Sequence, residues 1–218
     1  MKTILCYGDS NTWGFIPSIG ARYPFETRWP GVMQAALGKE YRVIEAGLSG
    51  RTTVWDDPCD IYMNGRDILE PTLRTHAPLD LVILMLGTND LKWHSAWEST
   101  RGSWTLICDI LKNKDLFTNG KANALWVSPP IVRDPHTIGM ADPNSLCTEE
   151  ESKKFALYSK QFAPMVPVPW FNAADVVMPL REGEFAEGVL GDGVHLPPSA
   201  HRALGMALAE QVQRLCTE

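Results

Sequence analysis

Ser10 stands in Gly8-Asp9-Ser10-Asn11-Thr12-Trp13-Gly14, just past an apolar run, and Asp192 and His195 stand three apart in Asp192-Gly193-Val194-His195 near the other end of the chain. A hydroxyl is not ionised near neutral pH and needs a base before it can attack a carbonyl. An imidazole supplies that base, and a carboxylate beside it fixes the ring's tautomer and stabilises the imidazolium that forms. The three side chains are therefore the parts of a nucleophilic hydrolase. Each has a plainer reading as well. Ser10 suits a helix N-cap, Asp192 could cap the last helix, and His195 could be a surface residue. Against the last stands its setting, Gly191-Asp192-Gly193-Val194-His195-Leu196-Pro197, a loop rather than a packed element.

Two further positions could serve the same carbonyl. Asn89, in Gly87-Thr88-Asn89-Asp90, directly follows the most apolar run of the chain. An amide side chain there can donate to a developing oxyanion, although Asn-Asp is also ordinary turn chemistry. Gly47 follows the run ending at Ala46; its backbone N–H could reach the same oxygen, or the residue could simply make a turn.

The elements that would position these residues follow from hydrophobic patterning. Thr3–Tyr7, Tyr41–Ala46, Leu81–Leu86 and Leu125–Val127 read as buried strands, and the proline-broken Val166–Phe171 as a weaker edge strand. Leu81–Leu86 is apolar on both faces, as a central parallel strand covered by helices must be. Helices are predicted over Trp29–Leu37, Asn64–Arg74 (disturbed by Pro71), Ser95–Lys112, Glu149–Phe162 and Pro198–Leu215. Ser95-x-x-Glu98 and Thr148-x-x-Glu151 are capping-box patterns. Strand–helix alternation predicts an α/β fold with a parallel sheet and helices on both faces. Loops at the carboxyl ends of the strands then form the site. Ser10, Gly47 and Asn89 each follow a different strand, so all three emerge on one edge of the sheet.

At 218 residues, with 44% hydrophobic and 21% charged residues, the chain is read as one globular domain, 1–218. A net charge of −6 with no basic stripe argues against a nucleic-acid partner. The five cysteines are widely spaced with no C-x-x-C, which suits reduced thiols in a cytoplasmic protein better than a disulfide framework or a zinc knuckle. No apolar run approaches the ~20 residues that span a bilayer, so no membrane association is expected. The stretches Val54–Met63 and Ile131–Cys147 are long irregular loops, of the kind often used in function or assembly.

Taken together, Gly8-Asp9-Ser10, Gly47, Gly87-x-Asn89-Asp90 and Asp192-x-x-His195 resemble the four blocks of the SGNH, or GDSL-type, hydrolases, in order and across nearly the whole chain. Further strings, Asn11-Thr12-Trp13-Gly14, Gly47-Leu48-Ser49-Gly50-Arg51-Thr52-Thr53 and Asp56-Asp57-Pro58, are similar to the arylesterase/acyltransferase branch, which includes perhydrolysing esterases. The resemblance implies a flavodoxin-like three-layer α/β/α sandwich around a five-stranded parallel sheet. It implies Ser10 as nucleophile, His195 as base and Asp192 as its orienter. The oxyanion donors would be the Ser10 and Gly47 amides and the Asn89 side chain. Short acyl or aryl esters would be hydrolysed through an acyl-enzyme, with transfer to alcohols or hydrogen peroxide as a further outlet. A carbohydrate O-deacetylase, and a non-catalytic binding protein on the same fold, are the alternatives. Neither a cofactor nor a metal is implied, the partner is a small-molecule ester, and a homo-oligomer is consistent with the branch.

The chain departs from the family pattern at position 11, where Asn replaces the name-giving leucine, which bears on acyl or alcohol preference; the Trp-rich stretch Leu91–Trp104 matches no pattern. Trp13 and Ser49 are candidate substrate-binding residues beside the nucleophile and Gly47; core packing and a structural turn are their respective alternatives. Trp97 and Trp104, seven apart, read as a buried helical stripe. Arg51 reads as half of a structural ion pair beneath its loop. Asp56 and Asp57 lack the ligand-rich loop that calcium needs, and His76, His94, His136 and His201 lack partners at ligand spacing.

Overall fold

Strands and helices alternate along the chain in the computed structural model, which describes residues 1–133, 135 and 145–217. In order they are β1 (Lys2–Gly8), α1 (Ser10–Trp13), α2 (Trp29–Leu37), β2 (Tyr41–Gly47), α3 (Gly65–His76), β3 (Leu81–Met85), α4 (Ala96–Lys112), β4 (Ala124–Ser128), α5 (Glu149–Phe162), β5 (Trp170–Asn172), the short hairpin β6 (Phe185–Ala186) and β7 (Val189–Leu190), and α6 (Pro198–Thr217). Five strands form one parallel sheet in the order β2-β1-β3-β4-β5. This is the expected α/β fold.

The period-2 alternation of the strands sorts the core into two layers. Ile4 and Cys6 of β1, Leu81, Ile83 and Met85 of β3, and Leu125 and Val127 of β4 pack with Trp29 and Met33 of α2 and Leu204, Leu208 and Val212 of α6. Leu5, Tyr7, Val82, Leu84, Ala124 and Trp126 point the other way, against Leu69 and Leu73 of α3, Leu106, Ile107 and Ile110 of α4, and Phe162 of α5. Because every residue of β3 is buried, that strand carries no polar face.

One edge departs from expectation, and the other, expected as an edge, differs only in where it starts. Tyr41–Ala46, read as a buried strand, is the half-buried edge β2. Pairing order depends on contacts distant in sequence, which an apolar run does not encode. At the opposite edge, β5 starts only at Trp170, because Pro167 and Pro169 lack the N–H a ladder needs. Val166 instead follows a 3-10 turn, Ala163–Met165. At Ser95 both halves of the capping box form with Glu98. At Thr148 only half does: its hydroxyl accepts from Glu151 N at 3.1 Å, while the Glu151 carboxylate accepts from Ala96 N at 2.9 Å and so joins α5 to α4.

The carboxyl ends of β1, β2 and β3 lie side by side, with Gly8 in register with both Gly47 and Met85. Ser10, Gly47 and Asn89 therefore leave the sheet at one edge. Among the described residues no helix is long and apolar enough to cross a membrane.

Candidate active site

The turn that carries Ser10 is made by Asp9. Its carboxylate accepts from Asn11 N at 2.9 Å, and its carbonyl accepts from Thr12 N and Trp13 N, so the chain turns from β1 directly into α1. Gly14 ends α1 at φ 88°, where a side chain would be strained. Gly8 is needed as well, since a Cβ there would lie 2.0 Å from Thr12 Oγ1. Ser10 thus begins a helical turn with its hydroxyl at the strand's end, and it is 6% exposed.

That hydroxyl lies 2.9 Å from His195 Nε2, and His195 Nδ1 lies 2.6 Å from Asp192 Oδ2. Hydroxyl, imidazole and carboxylate are linked in a row. The second carboxylate oxygen, Oδ1, accepts from Val194 N and His195 N, both at 2.9 Å, so Asp192 folds its own loop around itself rather than capping α6. Gly193 sits at φ 78°, and its carbonyl accepts from Arg133 N at 2.7 Å. Burial alone would raise the Asp192 carboxyl, but the His195 bond and charge together with the two backbone N–H groups outweigh it and hold it below its ordinary value. Asp192 is thereby an ionised acceptor. The Phe15 ring packs on the imidazole at 4.4 Å between centroids. No spacing rule in the sequence singles out Phe15.

The Gly47 and Asn89 positions converge on the same edge. Leu48 N donates to Gly8 O at 3.1 Å, so the alternation of the ladder turns the Gly47 N–H away from β1. A Cβ at Gly47 would lie 2.2 Å from Trp13 N, so β2 ends directly against α1. Asn89 Nδ2 donates to Arg51 O at 3.1 Å. That bond uses one amide N–H; the second has no partner among the described residues. Below them Asp90 accepts from Thr53 N and from Thr53 Oγ1, fixing the loop that follows Gly47 to the loop that carries Asn89. Burial pushes Asp90 up to about 7 and Asp9 up to about 6, in each case against the pull of their hydrogen bonds.

Arg51 differs from expectation. It forms no ion pair among the described residues. Its Nη1 donates to Gly8 O at 2.9 Å and to Ala46 O, and its guanidinium lies 4.1 Å from the Tyr7 ring. Its role is structural, as expected, but its partners are strand-end carbonyls and an aromatic face. Trp13 lies under the Arg22 guanidinium, 5.1 Å from the ring, and beside Phe15 at 6.4 Å. Ser49 is half-buried in the turn Leu48–Arg51, which Gly50 completes at φ 86°. Trp104 is half-buried against Phe162, but Trp97 is 46% exposed, so the stripe is buried at one end only. Asp57 pairs with Lys92 at 3.5 Å and Asp56 accepts from Asn64 Nδ2. His94 stacks on Trp55, and His201 is fully buried with Nδ1 accepting from Trp29 N. His136 lies outside the described residues. Among those described, no cluster of three or more His, Cys, Asp or Glu is arranged to hold a metal.

The GDSL-like lipase/acylhydrolase family model matches residues 6–203. The chain belongs to this family. An aryl esterase from M. smegmatis, solved with an inhibitor, is 36% identical, with 99% of this chain and 100% of that one covered and a TM-score of 0.85. A carbohydrate acetylesterase from Sinorhizobium meliloti is 37% identical over 99% of this chain and 100% of that one, with a TM-score of 0.84. No curated protein sequence matches the chain. This GDSL-like hydrolase is a carboxylic ester hydrolase, and its five-stranded parallel sheet is that of its structural neighbours.

Proposed function

We propose that the chain is a serine esterase that carries its acyl group on Ser10 and acts on short-chain acyl or aryl esters. The observation that carries this is the linked row of Ser10 Oγ, His195 and Asp192, at 2.9 and 2.6 Å. With Asp192 accepting from Nδ1–H, the Nε2 lone pair faces the Ser10 hydroxyl. His195 takes that proton as Oγ attacks the ester carbonyl. The oxyanion is held by the Ser10 and Gly47 amides and by the free N–H of Asn89. The imidazolium then gives its proton to the departing alcohol. Water, deprotonated by His195, releases the acid and restores the hydroxyl. An alcohol or hydrogen peroxide in place of water would yield a new ester or a peracid. Trp13 and Ser49 line the acyl side of this cleft.

A carbohydrate O-deacetylase is the second reading, favoured by the likeness to the Sinorhizobium meliloti acetylesterase. Chain 1–218 is read as one such domain, working in the cytoplasm with reduced thiols. Ile61 and Tyr62, 71% and 80% exposed on the loop after β2, support assembly into a homo-oligomer. A series of p-nitrophenyl esters of rising acyl length, run beside acetylated sugars, tests the substrate class. Highest kcat/KM on acetyl or propionyl esters is expected. A preference for long acyl chains would contradict both readings.

A further inference from the structure

The one departure from the family motif beside the nucleophile is Asn11, and its side chain points at the histidine loop. It is 3% exposed. Its Nδ2 donates to Val194 O at 3.2 Å, and its Oδ1 accepts from Leu196 N at 3.0 Å. These are the two peptide groups on either side of His195, 183 and 185 residues away in sequence. One amide thus pairs with the backbone as a neighbouring strand would, donor to acceptor and acceptor to donor. Asn11 N is itself fixed by Asp9 Oδ1, so the nucleophile turn and the histidine loop are joined through a single residue adjacent to Ser10. The bonds inside the histidine loop, from Asp192 to Val194 N, His195 N and His195 Nδ1, hold the ring on the carboxylate but do not set the loop's distance from Ser10. A leucine, the residue of the name-giving motif, could make neither of the two bridging bonds.

We infer that Asn11 is a positioning residue that sets the reach from His195 Nε2 to Ser10 Oγ. Position 11 therefore acts on the rate of proton transfer rather than on acyl preference. The inference rests on the Ser10–His195 reading above. A loosened loop misplaces the base, and a displacement of about 1 Å costs roughly 10²-fold in rate. Asp192 and His195 move together, so the base strength of the ring is retained.

The test compares wild type with Asn11→Leu and Asn11→Ala on p-nitrophenyl acetate, across pH and at temperatures well below the unfolding midpoint. Both variants are expected to lose about 10- to 100-fold in kcat. KM should stay within about threefold, the midpoint of the pH–rate curve should not move, and acyl-length preference should be kept. A kcat within threefold of wild type overturns the inference. So does a loss carried by KM, a displaced pH midpoint or a changed acyl preference. If both variants fail to fold, amide exchange in the wild-type protein decides. Leu196 N–H should be protected like the core strands, and exchange at open-loop rates overturns the inference. Ser10→Ala separates the two claims: activity surviving there removes the underlying reading, whereas loss there with full activity in Asn11→Leu removes only the role of Asn11.

Discussion

Replacing Asp192 by Asn tests the electrostatics of the site with almost no change of shape. Two backbone donors, Val194 N and His195 N, fix the position of the Oδ1 oxygen, so the amide oxygen of the variant must occupy that place and the NH₂ must face His195 Nδ1. A donor there demands a lone pair on Nδ1 and puts the ring proton on Nε2. The imidazole then has no lone pair for the Ser10 proton. The active tautomer would leave two N–H groups facing each other in a buried place, at about 1–3 kcal/mol. It would also forgo a charge-assisted bond to the imidazolium, worth about 1.5–3 kcal/mol. Together these raise the barrier by about 3–6 kcal/mol, or about 10²- to 10⁴-fold in kcat. The assay is initial-rate hydrolysis of p-nitrophenyl acetate near pH 8, with thermal unfolding as the control for folding. A variant that folds like wild type and retains activity within tenfold would refute the role of Asp192.

The oxyanion assignments make a separate demand. Asn89→Ala should lower kcat about 10²- to 10³-fold with little effect on KM, measured on the same ester; an unchanged kcat would remove Asn89 from the hole. Gly47→Ala puts a methyl group 2.2 Å from Trp13 N, so it should cost about 1–3 kcal/mol in denaturant unfolding and displace the turn that carries Ser10, lowering kcat as well. His201 has a different signature. Burial, with His195 and Arg28 adding to it, pushes its imidazole down to about 3, whereas an unfolded histidine titrates near ~6.5. Between those values the unfolded chain binds more protons, so the contribution of His201 is complete above about pH 6.5 and is lost as pH falls toward 3. Asp9 and Asp90, pushed up to about 6 and about 7, act in the opposite sense, since protonation relieves their burial as pH falls through those values. The difference between proteins isolates His201. His201→Gln should lose about 3 kcal/mol less than wild type between pH 6.5 and 4, and parallel stability curves would contradict this.

What the sequence made legible was chemistry and the central elements. The all-apolar Leu81–Met85 could only be a covered strand, and two of the helices announced themselves by caps at Ser95 and Thr148. Ser10, His195 and Asp192, which the fold brings together, stood out because each has a distinctive neighbourhood of glycine and turn residues. Of the sheet's two edges, the proline-broken β5 was read as one, whereas Tyr41–Ala46 was read as buried although Arg42 and Glu45 interrupt its apolar run, and pairing order makes it the other. Asn11 and Phe15 were opaque for a related reason. Their partners, at positions 194 to 196, lie some 180 residues on, and nothing local shows where an amide or a ring will point. Arg51 was misread in its partners because a buried guanidinium suggests a carboxylate, whereas the carbonyls at the ends of β1 and β2 lay within its reach.

The most direct measurement on Ser10 is the mass of the protein after reaction with a fluorophosphonate, with the modified peptide then located. A single adduct, on Ser10, is expected in the wild-type chain and none in Ser10→Ala. An adduct of equal yield in the alanine variant, or one carried by another residue of the wild-type chain, would contradict it.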